Sequence, residues 1–342
     1  MSAKKNILPF FIPMEGCKHN CIFCDQRQIS GRIKSPTPAE IRAGLALFSF
    51  KNMEIAFYGG SFTGLSKEKQ LQYLQAVNEP NIKKQRAIRI STRPDCINQD
   101  NCFLLKGYGV KTVELGVQSF NNEVLLAAGR GYKNEVIEPA VRLLREFGFS
   151  VGIQLMTGLP EQTKDLSLFD ARQAAELADF VRIYPTVVIE NTPLAELYRR
   201  GLYQPQTVEE AVDLAARMLV IFQRRQIAVI RLGLNPDVKL AQAVLAGPYH
   251  PAFGHLAYSR LKLWQALVLL QRARAPQKIL CPKADLPLLI GHKAENKKLL
   301  LQSYPLLKIV GDQTLPAGAL SADGVVLLYK EFLQGLGENN FL

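Results

Sequence analysis

The stretch that decides the fold is Ile7-Leu8-Pro9-Phe10-Phe11-Ile12-Pro13-Met14-Glu15-Gly16-Cys17-Lys18-His19-Asn20-Cys21-Ile22-Phe23-Cys24. An apolar run (residues 8–14) ends on a glycine and a tight cysteine triplet, which reads as a buried strand followed by a loop at its C-terminal end. Lys4-Lys5 ahead of the run imitates a secretory leader, but two prolines interrupt it and Glu15 stands where a cleavage site wants small residues. The expectation is a cytoplasmic chain, where clustered cysteines bind metal more often than they pair as disulfides. Five further β-rich runs follow, at 53–58, 87–91, 112–116, 150–155 and 180–188. Helix-like stretches at 39–48, 67–77, 99–107, 134–147 and 166–178 separate them. Strands alternating with helices argue for βαβ units and a parallel sheet. Glycines and polar residues cluster just after each run, where parallel α/β folds build their ligand sites.

The composition agrees. The 342 residues carry 42 Lys+Arg against 30 Asp+Glu, a net charge of +12, with 48% hydrophobic and 21% charged residues. That excludes disordered, collagenous and coiled-coil classes. Apolar runs such as 266–270 fall far short of the ~20 residues needed to span a bilayer, so no membrane span is expected. From about residue 208 the rhythm changes to a helix at 208–225, a short strand at 227–232, a turn-rich stretch at 247–251 and a helix at 256–275. The expected architecture is α/β: a partial (β/α)6 TIM-type barrel over residues 1–240 and a small C-terminal α+β domain of unknown role over 241–342.

Of six cysteines, Cys96, Cys102 and Cys281 are isolated and read as small buried apolar residues. Cys17, Cys21 and Cys24 share one eight-residue loop and suit a common metal centre. Zinc wants four ligands, and His19 is the available fourth, although zinc sites usually join two separated ligand pairs. An iron–sulfur cluster held by three thiolates keeps one iron open for a substrate or cofactor. Both readings stand on spacing alone.

The C-x3-C-x2-C spacing, with the aromatic Phe23 before its last cysteine, resembles the signature of the radical S-adenosylmethionine (SAM) superfamily. Tyr58-Gly59-Gly60-Ser61-Phe62 is similar to the glycine pair that binds the SAM amino group. Thr92-Arg93-Pro94-Asp95, residues 113–119, Arg130-Gly131, Gly158-Leu159-Pro160 and Ile183-Tyr184-Pro185-Thr186 follow in order. From residue 8 to about 205 the series resembles the radical SAM core of the Elongator catalytic subunit, a tRNA-modifying enzyme, and more distantly oxygen-independent coproporphyrinogen oxidase. The resemblance implies a [4Fe-4S] cluster on Cys17, Cys21 and Cys24 whose reduction cleaves SAM to a hydrogen-abstracting 5′-deoxyadenosyl radical. It implies SAM contacts at Phe23, Gly59, Gly60 and Ser61. Thr92, Gln118, Arg130 and Gln154 complete that set, with Arg130 pairing the SAM carboxylate. Reduced ferredoxin or flavodoxin is the electron donor expected with it.

Two departures narrow the resemblance. The residues after 245 carry no acetyl-CoA pyrophosphate loop, so an Elongator-like enzyme without the acetyltransferase domain is expected. Asp25 and Gln26 follow Cys24 where the coproporphyrinogen oxidases carry an extra cysteine, which weakens a porphyrin reading. The positive charge suits RNA, with tRNA foremost, through Arg199-Arg200, Arg224-Arg225 and the stretch Arg272 to Lys278. Tyr184 and His250 are the candidate catalytic side chains. A radical SAM enzyme acting on a small molecule or protein is the alternative, and a non-catalytic, zinc-dependent RNA-binding module the remote one.

Overall fold

Near-continuous apolar runs such as Met53–Tyr58 are what a strand covered on both faces requires, and they assemble into a parallel sheet. Its strands are β1 (Asn6–Phe11), β2 (Met53–Tyr58), β3 (Ala87–Thr92), β4 (Val110–Gln118), β5 (Ser150–Thr157) and β6 (Phe180–Pro185). After the two-residue β7 (Val188–Ile189), β8 (Ala228–Leu232) completes the order β1-β2-β3-β4-β5-β6-β8. This computed structural model describes residues 6–47, 53–78 and 87–336. Lys4 and Lys5, read above as leader-like, and Phe48, the end of a predicted helix, lie outside them.

The register pairs Leu8 with Ile55 and Ile55 with Ile88. Side chains alternate across a strand, so Ile55, Phe57, Ile88, Ile90, Val113 and Leu115 fall on one face. There they meet Leu74, Leu105, Leu144 and Leu168 from the crossover helices Lys67–Val77, Gln99–Gly107, Ile137–Glu146 and Lys164–Leu177. The intervening positions, among them Glu54, Arg89, Glu114 and Arg182, point the other way, into the concave face of a partial barrel.

The sheet has one strand more than the six expected. The 227–232 run pairs with β6, Val181 beside Val229, because the helix Val208–Arg224 makes one further crossover. The predicted 180–188 strand in turn divides: Val188–Ile189 leaves the sheet and pairs antiparallel with β9 (Val244–Ala246). Beyond lie β10 (Lys278–Pro282), β11 (Lys308–Asp312), β12 (Leu320–Ala322) and β13 (Val325–Leu327), a mixed sheet in the order β11-β10-β12-β13. The helix Phe253–Arg272 covers it.

The helix Val208–Arg224 is buried on two sides. Leu214, Met218 and Phe222 belong to the barrel core, while Ala211, Ala215 and Leu219 belong to the C-terminal core. A capping box of Thr207 and Glu210 starts it. The two cores share this helix as a wall. Among the described residues no helix is long and apolar enough to cross a membrane.

Candidate active site

The chain leaves β1 at Phe11 and packs backbone to backbone on the turn after β2. Ile12 N–H donates to Tyr58 O at 2.7 Å, and Ser61 N–H donates to Glu15 O at 2.9 Å. Only glycines allow so close an approach. A Cβ at Gly16, whose φ is +72°, would meet Leu65 N at 2.8 Å, and one at Gly60 would meet Ile12 O at 2.5 Å. The free side of Gly60 is therefore taken by the cysteine loop's own backbone. At its far end the loop is pinned by Ile22 N–H to Ala128 O at 3.2 Å and by Leu194 N–H to Ile22 O at 2.9 Å. Phe23 is buried there among Val124, Leu159 and Leu194.

The pinned loop borders a cavity of about 470 Å³ at the C-terminal ends of the strands, extending into the barrel. Cys17, Cys21, Cys24 and Phe23 line it, as do Gly59, Gly60 and Thr92. Gln118, Arg130, Gln154 and Tyr184 line it as well. Ser61 is not among the lining residues: it is fully buried, with Oγ 2.9 Å from Thr92 Oγ1, and Thr92 Oγ1 lies 2.6 Å from Thr63 Oγ1. Those hydroxyls brace the turn. His250 is not brought to the cavity. Its Nδ1 accepts from Ala252 N–H at 3.0 Å, and its ring stands edge-on to His292 with centroids 5.1 Å apart.

Burial, reinforced by neighbouring Cys21, raises the Cys17 thiol, and the same causes push Cys24 up to about 12. Arg93 and Arg130 pull Cys17 back toward the thiolate. Arg130 Nη1 donates to Cys21 Sγ at 3.0 Å, and its Nη2 donates to Gly116 O and, at 3.1 Å, to Tyr132 Oη. The Tyr132 ring lies against both guanidiniums, 5.1 Å from Arg93 and 5.1 Å from Arg130. Gln154 Nε2 donates to Gln118 Oε1 at 3.3 Å, and Gln118 holds a strained backbone at φ 74°.

Three soft thiols on one wall, one of them already accepting from a guanidinium, are a donor set that fits an iron–sulfur cluster. Among the described residues, no three His, Cys, Asp or Glu form a group that could hold a metal ion. A cubane meets one thiolate at each of three irons, so its ligands do not need to converge on a single ion. His19 borders the same cavity, its ring packed over Gly131, where φ is +68°.

Sequence reasoning missed the barrel floor. Glu114 accepts from Arg89 Nη1 at 2.6 Å, from Arg182 Nη2 at 3.0 Å and from Tyr58 Oη at 3.3 Å, and its other oxygen is ion-paired with Arg182 Nε at 2.5 Å. Glu54 accepts from Arg89 Nε at 3.1 Å and Nη2 at 2.9 Å. Tyr58, Glu114 and Arg182 line the cavity. The available signal was a charged residue, Glu54, Arg89, Glu114 or Arg182, inside each of four largely apolar strands.

A family model described as the Radical SAM superfamily matches residues 11–168, and one described as the Radical_SAM C-terminal domain matches 178–263. A tRNA uridine(34) acetyltransferase of Methanocaldococcus infernus is 34% identical over 154 residues, covering 43% of this chain and 28% of that protein. Elongator complex protein 3 of Schizosaccharomyces pombe is 30% identical over 178 residues, 51% of this chain and 32% of that protein. The chain thus spans about three tenths of the length of these curated relatives. The solved structure of archaeal Methanocaldococcus infernus Elp3 superposes with a TM-score of 0.60 at 23% identity, over 75% of this chain and 62% of that one. The two share a fold.

Proposed function

We propose that this chain, which belongs to the radical SAM superfamily, holds a [4Fe-4S] cluster on Cys17, Cys21 and Cys24 and binds SAM beside it to act on RNA, with tRNA foremost. The observation that carries the reading is that the three thiols, Gly59-Gly60, Gln118, Arg130 and Gln154 line one cavity at the strands' C-terminal ends. When bound, the cluster supplies the electron, drawn from reduced ferredoxin or flavodoxin, that cleaves SAM to a 5′-deoxyadenosyl radical. The protein's own residues do the rest. Phe23 and the Gly16–Gly60 packing fix the cysteine loop, Arg130 steadies Cys21, and the Gln118–Gln154 pair offers amide groups to a bound nucleoside. Tyr184 lines the same cavity, accepts from Arg182 Nη1 at 3.4 Å, and is the side chain assigned to meet the substrate.

RNA is supported by the likeness to tRNA uridine(34) acetyltransferases, whose name gives a tRNA uridine as their target, and by the net charge of +12. Several of the expected basic contacts are engaged within the protein. Arg199 pairs with Glu190, Arg225 pairs with Glu176, and Arg224 donates to Leu333 O and Leu336 O. Arg200, Arg272 and Arg274 are exposed and are the better phosphate contacts. The test is anaerobic incubation with SAM and dithionite, with and without tRNA, followed by nucleoside mass spectrometry. A new modified nucleoside supports the reading. SAM cleavage with no RNA affinity even at low salt turns it toward a small-molecule or protein substrate.

A further inference from the structure

We infer that a second, basic groove beside the cysteine loop receives the phosphodiester backbone of the RNA next to the nucleotide that enters the cavity; this deepens, and rests on, the reading that RNA is the substrate. The groove encloses about 430 Å³. Glu15 of the cysteine loop lines it, as do Lys69 and Tyr73 of the helix Lys67–Val77 and the chain 33–38. The short helix Gln26–Ser30 is the partition between groove and cavity: Gln26 and Ile29 line the cavity, and Arg27 lines the groove. Gln28 pins that helix by donating from Nε2 to Glu190 O at 2.8 Å. One helix width, about 10 Å, thus separates the two, a distance that a short run of nucleotides crosses.

Charge names the ligand. The groove is lined by three cations, Arg27, Lys34 and Lys69, and by one carboxylate, Glu15. Glu15 is ion-paired with Lys69. Arg27 and Lys34 are exposed and pair with no acid among the described residues. The neighbouring carboxylates are committed elsewhere. Asp25 accepts from Arg27 N–H at 3.0 Å and from Gln28 Nε2 at 2.9 Å, and Glu40 accepts from Thr37 N–H at 2.7 Å and Thr37 Oγ1 at 2.9 Å. Two unneutralised cations in a concave site concentrate anions there. Pro36 and Pro38 stiffen the wall, and Ile33, 77% exposed, offers an uncovered apolar side chain on which a base can rest. A strand of phosphates follows such a groove, whereas the broad face of an acidic protein meets it poorly.

The test is filter binding of bulk cellular tRNA to anaerobically reconstituted protein across a salt series, with iron content and melting temperature followed in parallel. The double variant Arg27→Glu with Lys34→Glu should bind about tenfold or more weakly at about 0.1 M salt, and its slope of log affinity against log salt should be shallower by about 1.5, at unchanged iron content. Arg27→Gln with Lys34→Gln, which removes the charges without reversing them, should show the same change of slope with a smaller loss, and it decides if the reversed pair does not fold. Wild-type affinity and slope in both pairs overturn the assignment. Unchanged RNA affinity, with SAM cleavage slowed only when reduced ferredoxin or flavodoxin replaces dithionite, also overturns it and makes the groove a landing site for an acidic electron carrier. Wild type that binds no tRNA at low salt with its iron in place overturns the RNA reading, and the groove assignment with it.

Discussion

Arg89 is the keystone of the barrel floor, and Arg89→Met tests whether that floor is held by charge. Its guanidinium makes hydrogen bonds of 2.6–3.1 Å to two carboxylates, and the side chains of Glu54 and Glu114 are 1% and 4% exposed. Without Arg89, Glu114 keeps Arg182 and Tyr58, but Glu54 keeps only the Thr112 hydroxyl at 3.2 Å. An uncompensated buried charge costs about 3–5 kcal/mol, whereas replacing both partners by apolar groups is close to neutral. Arg89→Met should therefore lose about 3–5 kcal/mol, and the double variant Arg89→Met with Glu54→Leu should recover to within about 2 kcal/mol of wild type. Urea unfolding of the metal-free proteins, followed by far-ultraviolet circular dichroism, measures all four corners of the cycle. Losses that simply add would refute the reasoning, because they would mean that Glu54 is not left stranded when Arg89 goes.

Replacing Cys17, Cys21 or Cys24 with Ala should abolish iron and sulfide binding, while Cys281→Ala, buried in the C-terminal core, should leave both intact by elemental analysis. Gly60→Val should lower iron content together with SAM binding, because the new side chain drives into the backbone at Ile12 and Glu15; full iron with lost SAM affinity would return Gly60 to a ligand-approach role. Asp170, fully buried and accepting from Phe120 N–H at 2.6 Å, has its pKa raised by burial from 3.8 to about 6. The folded state then holds this proton more tightly than the unfolded one, so its contribution to stability is present below about pH 4 and lost as pH rises through about 6. Asp170→Asn should gain on wild type by about 3 kcal/mol across that window in urea titrations, and a constant gap would contradict it.

Most of the barrel was legible because burial on both faces writes parallel strands as apolar runs. Lys67–Val77 and Gln99–Gly107 were read to the residue, since Ser66 and Asn98 cap their starts. The seventh strand was not counted among the barrel's six because Ala228–Leu232 is short, with an arginine within it, and gives no sign of which sheet it joins. No linker was visible near 235–245, and the shared helix Val208–Arg224 lies before that stretch. The cysteine loop was legible from spacing, as three reactive side chains close in sequence must be close in space. Glu114 and Arg182 were not, because their partners lie up to 124 positions away, as for Arg182 and Tyr58. His250 misled for the converse reason: a glycine- and proline-rich loop looks free to reach a site, but its ring is held against His292.

The central claim is that the cysteine triplet carries a cluster with an iron open to SAM. Electron paramagnetic resonance of the anaerobically reconstituted, dithionite-reduced protein, recorded before and after adding SAM, tests it most directly. The account predicts a [4Fe-4S] signal whose shape changes on SAM addition and which is absent from Cys24→Ala. A colourless protein with stoichiometric zinc and no iron, or a cluster signal indifferent to SAM, would contradict it.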